Sequence, residues 1–196
     1  MPLGAHKAAI MGVAGVSTGD VVLISSQTAS ADSSVSFTSG ITSTYGEYIF
    51  GFYNMHPASN NVSWSFNGST DGGSNYNVTK TSTFFVAQLQ EGDSSAALQY
   101  QTGDDLAQGT GYQNLCDGVG TDNDQSCAGV LHLFNPAGTT FVKHWFSTVH
   151  EYHASDYAIT SRSAGYFNTT SAINAVDFKF ESGNTDTGTI KMWGVK

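Results

Sequence analysis

Apolar and polar positions alternate along most of the chain with a period of two. That is the signature of β-strands with one buried face. The clearest case is residues 47–55, EYIFGFYNM. Tyr48, Phe50 and Phe52 point one way, and Ile49 and Tyr53 the other. Apolar residues on both sides predict burial on both faces, and Pro57 closes the strand because it has no N–H for a ladder. Val62, Trp64 and Phe66 alternate with Ser63 and Ser65, which predicts a half-buried strand with one polar face.

The same reading places strands at residues 20–26, 35–37, 82–89, 129–134, 139–149, 156–167, 171–180 and 187–195. In the strand at 139–149, Phe141, Trp145 and Val149 share a side with Lys143 and Ser147. Turn chemistry falls between these segments. Residues 27–34 read as a polar connector. Asn67-Gly68 and Asp71-Gly72-Gly73 are hairpin and loop signals, Asn135-Pro136-Ala137-Gly138 reverses the chain, and residues 183–188 form a turn. Residues 94–101 suggest a helical turn. About nine or ten strands with no long helix predict an all-β fold, an antiparallel two-sheet β-sandwich of jelly-roll type. Residues 1–19 read as an N-terminal arm and residues 20–196 as one sandwich domain.

Composition supports strands and narrows the function. Ser (24), Thr (21), Asn (12) and Gly (22) make up 79 of the 196 residues, while charged residues are only 12%. Aromatic residues, at 12%, argue against disorder. The net charge of -9 and the lack of a basic cluster disfavour a nucleic acid partner. No apolar run is long enough to span a bilayer as a helix, so no membrane partner is expected. In the arm, Lys7 before residues 8–16 resembles a short signal peptide. The competing reading is an ordered arm with Ile10, Met11 and Val13 as apolar anchors.

Candidate chemistry is sparse. No nucleophile elbow, phosphate-binding loop, zincin helix or dinucleotide fingerprint is present, so no enzyme is expected. His144 and His150 share a strand face, but His153 falls past the strand end and completes no metal set. Asp117, Asp122 and Asp124 lie in a Gly-rich loop whose spacing suits calcium, the one cofactor considered; a solvated turn is the alternative. Asp104 and Asp105 could add ligands from a neighbouring loop. Trp64, Asp71, Asn75 and Tyr76 supply the aromatic faces and polar groups a glycan site needs, against the reading of Trp64 as core. Cys116 and Cys127 are separated by ten residues, the acidic stretch 117–126. A disulfide closing this loop and a pair of free thiols both fit.

Several stretches carry a resemblance. They are residues 48–57 (YIFGFYNMHP), 69–76 (STDGGSNY), 131–136 (LHLFNP) with 140–144 (TFVKH), 165–176 (GYFNTTSAINAV) and the closing GTIKMWG at 188–194. Together they resemble small virion-associated structural proteins of tailed bacteriophages, especially marine ones. The resemblance runs from about residue 35 to the C-terminus and identifies no catalytic residue. It implies a protein on the outer surface of a virion head or tail. The leading expectation is a capsid decoration or cement protein, anchored to the capsid shell by residues 1–19 and assembled as a homo-oligomer, a trimer. The alternatives are a tail or fibre appendage that binds host surface glycans, and a secreted lectin-like module.

Overall fold

The computed structural model describes residues 20–196. The arm and its anchors Ile10, Met11 and Val13 lie outside the described residues. Twelve strands follow in order: β1 (Val21–Asp32), β2 (Val35–Phe37), β3 (Glu47–Pro57), β4 (Trp64–Ser69), β5 (Lys80–Gln90) and β6 (Ala96–Tyr100). The second half adds β7 (Gln113–Asn114), β8 (Cys127–Phe134), β9 (Lys143–His153), β10 (Tyr157–Phe167), β11 (Ala175–Phe180) and β12 (Thr185–Val195).

These strands form two antiparallel sheets that pack as a β-sandwich. The eight-stranded sheet runs β1-β12-β3-β8-β9-β10-β5-β6, and the four-stranded sheet runs β2-β11-β4-β7. Four ladders nest inside one another: β1 with β12, β2 with β11, β3 with β8, and β4 with β7. The chain thus runs as a folded ribbon, first strand against last, second against next to last. Two hairpins, β5–β6 and β9–β10, interrupt that nesting. They extend the larger sheet beyond β8.

Alternation explains the core. On β3 the inward side chains Tyr48, Phe50 and Phe52 are buried. Phe50 and Phe52 meet Phe178 of β11, whose ring lies 5.2 Å from each. Phe178 also contacts Phe37, Trp64 and Phe66, so one ring ties five others across the two sheets. Aromatic pairs of this kind add stabilisation beyond the area they bury. A smaller cluster, Phe84, Val86 and Ile159, packs under the extension.

Local expectations needed correction at several places. The strand expected at 139–149 runs from Lys143 to His153, so His153 is its last residue rather than past its end, and the strand expected at 171–180 begins at Ala175. The outer side of β3 is not buried: Tyr53 remains 45% exposed. Conversely, every residue of β4 is buried, including Ser65, as the chain after β6 packs on it through Thr110, Gly111 and β7. Asn67-Gly68 makes no turn. Both residues sit inside β4, paired with Asp177 and Val176, and the Asn67 side chain binds neighbouring backbone instead of reversing its own. Residues 94–101 form an edge strand rather than a helical turn, since Ala96–Tyr100 finds open backbone partners along β5. Residues 27–32 continue β1 along β12 instead of forming a connector. At Phe52–Met55 the ladder slips, and Asn54 takes φ +50°, the geometry of a bulge.

Candidate interaction face and buried polar sites

Large apolar side chains left in water are concentrated on one surface. Among the described residues, nine large hydrophobic side chains are exposed, and Val21, Leu23, Tyr53, Phe85, Leu89, Leu98, Tyr100 and Phe146 all lie on the outer face of the eight-stranded sheet. Register places them side by side. Tyr100 lies opposite Phe85, which lies opposite Arg162; Leu98 lies opposite Ala87; Ala164 lies opposite Phe146, and His132 opposite Phe146. Toward the other edge the row continues through Ile49, Trp193 and Leu23. The ring of Phe146 lies 4.5 Å from His132 and 5.7 Å from Phe134.

The charges on these rows are few. Arg162 sits beside Phe85, and Lys191 lies over the Tyr53 ring at 5.2 Å. Glu47 is bonded to His132. In a chain of net charge -9 this face carries no acidic excess. Sequence reading missed it because outward aromatics on β3 look like a second buried face, and because β6, which supplies Leu98 and Tyr100, reads as helix.

The glycan candidates are not gathered on one surface. Trp64 is fully buried, stacked on Phe178 at 6.1 Å and tilted against Phe180 at 4.8 Å, so it is core and offers no sugar platform. Asp71 and Asn75 do meet. Asn75 Nδ2 donates to Asp71 at 2.7 Å, and Ser69 Oγ donates to the same carboxylate at 2.6 Å. The Asn75 and Ser69 bonds hold Asp71 down to about 2. These bonds use the turn's polar groups internally. The Tyr76 hydroxyl is buried beside Asp177, and desolvation pushes its pKa up.

The acidic loop is tied down through its backbone, while Asp122 and Asp124 stay exposed. The Asp117 carbonyl accepts from Ser63 Oγ, while Gln125 Oε1 accepts from the Asp122 N–H at 3.0 Å. Asp117, Asp122 and Asp124 do not converge as the calcium reading requires. Among the described residues no three His, Cys, Asp or Glu side chains are placed to hold a metal ion. His144 and His150 are exposed, and His144 packs edge-on to Tyr166.

Cys116 and Cys127 are free, buried thiols; the disulfide alternative is not what the structure contains. They form a closed group with Glu151, which lies opposite Cys127 in the β8–β9 ladder. Burial pushes the Cys116 thiol up, with Cys127 and Glu151 adding to the effect. Burial also raises Glu151 to about 7, against the opposing hydrogen bonds from Cys116 and the Asp117 N–H.

One polar cleft of about 410 Å³ opens beside the acidic loop, lined by Asn54, His56, Asp124, Gln125 and Asp186 among others. His56 Nδ1 stands 3.5 Å from Asp186 there. Against known proteins, the chain matches no family model, no curated protein and no solved structure.

Proposed function

We propose that the protein is a non-enzymatic structural component of a bacteriophage virion, a capsid decoration or cement protein that assembles as a homotrimer on the outer surface. Two features support this reading. The two antiparallel sheets and their nested ladders support reading the sandwich as a jelly roll, an architecture used in viral coats. The observation that carries it is the outer face of the eight-stranded sheet. Contiguous exposed apolar surface of this kind marks protein contacts. The occupant is a second copy of this chain. Copies that each carry -9 repel, and this face lets them meet without juxtaposing acids.

Light scattering on the full chain tests the assembly. A trimer is expected at micromolar concentration, and Leu98→Asp combined with Phe85→Asp should dissociate it while leaving the circular dichroism of a folded β protein. A wild-type monomer overturns the assembly. Electron microscopy of labelled particles tests the location: label on the head supports decoration, and its absence from virions overturns the function.

A second reading, a host-glycan-binding appendage, draws on the polar cleft around His56 and Asp186. Its amide and carboxylate lining suits sugar hydroxyls. A glycan array with Asp186→Ala as control separates the two readings.

A further inference from the structure

Lys80 opens β5, and its side chain is fully buried. A buried ammonium ordinarily faces a carboxylate. Lys80 Nζ instead stands 2.6 Å from Oδ1 of Asn67 and 3.0 Å from the Val78 carbonyl, with the Phe167 ring 5.5 Å away. Desolvation pushes this amine down to about 7, so a substantial fraction is unprotonated and nucleophilic near neutrality.

Asn67 is held as firmly. It is fully buried in β4, with Nδ2 donating to the carbonyls of Tyr76 (2.6 Å), Thr110 (3.0 Å) and Gly111 (3.3 Å). Its Oδ1 accepts from the Gly68 N–H at 2.9 Å as well as from Lys80. A carbonyl carbon lies about 1.2 Å from its oxygen. The amine is therefore within about 4 Å of Cγ, near the attack distance that favours reaction.

We propose that Lys80 and Asn67 join in an intramolecular isopeptide bond. The Nζ lone pair attacks Cγ, and the C=O electrons move onto Oδ1, where the Gly68 N–H already points. The Cγ–Nδ2 bond then breaks as the carbonyl re-forms. Nδ2 takes a proton from Nζ and leaves as ammonia. The three carbonyls around Nδ2 suit a nitrogen gaining protons. Amine and carboxamide become amide and ammonia, with no oxidant, reductant or cofactor. The product links β4 of one sheet to β5 of the other.

Intact mass spectrometry of the denatured full chain tests the bond. The expected mass is lower than the sequence mass by one ammonia. A cyclic imide at Asn67-Gly68 would give the same deficit, so digestion with chymotrypsin, which cuts after Tyr76, is needed as well. A peptide holding Lys80 covalently attached to one holding Asn67 supports the proposal. Lys80→Arg and Asn67→Ala should each show their full sequence mass. A wild-type chain at full sequence mass overturns the proposal, and so does an ammonia deficit without the linked peptides.

Discussion

The backbone N–H of Asp117 donates to both carboxylate oxygens of Glu151, at 3.0 and 2.9 Å. This contact ties the acidic loop to the C-terminal end of β9 and fixes a carboxylate where water does not reach. Burial raises the pKa of Glu151 from 4.5 to about 7. The folded state therefore holds a proton that the unfolded state has released between those values. The resulting stabilisation is fully present below about pH 4.5 and is lost as the pH rises through about 7. Its size is on the order of 3 kcal/mol at most. Urea unfolding of Glu151→Gln should show a flatter dependence of stability on pH between 5 and 8 than the wild type (about neutral pH being the region of change). Parallel curves would exclude Glu151 as the titrating group.

The two thiols should be protected in the native state. Cys116 and Cys127 are both buried, and the Cys116 thiol is held in its protonated, unreactive form. Labelling by a thiol reagent at neutral pH is expected to follow the unfolding rate, and both thiols should react promptly in denaturant. Fast labelling in native buffer would contradict the burial of this group.

Phe178→Ala should be among the most damaging core substitutions. It removes the ring that meets Phe37, Phe50, Phe52, Trp64 and Phe66. A loss of about 3–5 kcal/mol is expected in equilibrium unfolding. Phe85→Ala, on the outer face, provides the contrast and should leave monomer stability nearly unchanged.

Gly129→Ala probes backbone closeness. A Cβ at Gly129 would run into the Thr148 carbonyl and the Val149 Cα, 2.6 Å away, on the neighbouring strand β9. Backbone cannot swing aside as a side chain can, so the β8–β9 ladder must open. A lowered melting temperature is expected, with faster amide exchange across Val130 and Thr148. An unchanged exchange pattern would show that the ladder absorbs the methyl.

Strands with strict alternation were legible from sequence because each has one wet side and one dry side. β9 is the clearest, with Trp145, Ser147 and Val149 buried between exposed or half-buried neighbours. Asn67-Gly68 misleads because the dipeptide's turn preference is local, whereas its bonds to Tyr76 and Thr110 come from distant chain. Leu98 and Tyr100 were hidden for a related reason: an Ala-rich stretch favours helix until the open edge of β5 offers a ladder. The glycan candidates fared unevenly. Asp71 and Asn75 adjoin as their spacing suggests, while Trp64 is core because its strand is covered on both sides. Nothing in the spacing of Lys80 and Asn67 announces that their side chains meet.

The outermost nested ladder joins Val21 to Val195. During synthesis, β1 therefore waits for nearly all of the described chain before its only ladder partner exists. β3 also lacks one of its two neighbours until β12 emerges. Pairings this distant in sequence close slowly. The hairpins β5–β6 and β9–β10 need no such wait, since each joins strands close in sequence. Birth order along the ribosome thus favours assembling the extension first and sealing the sandwich last, which leaves the edges of β3 and β1 open to wrong partners for the longest time.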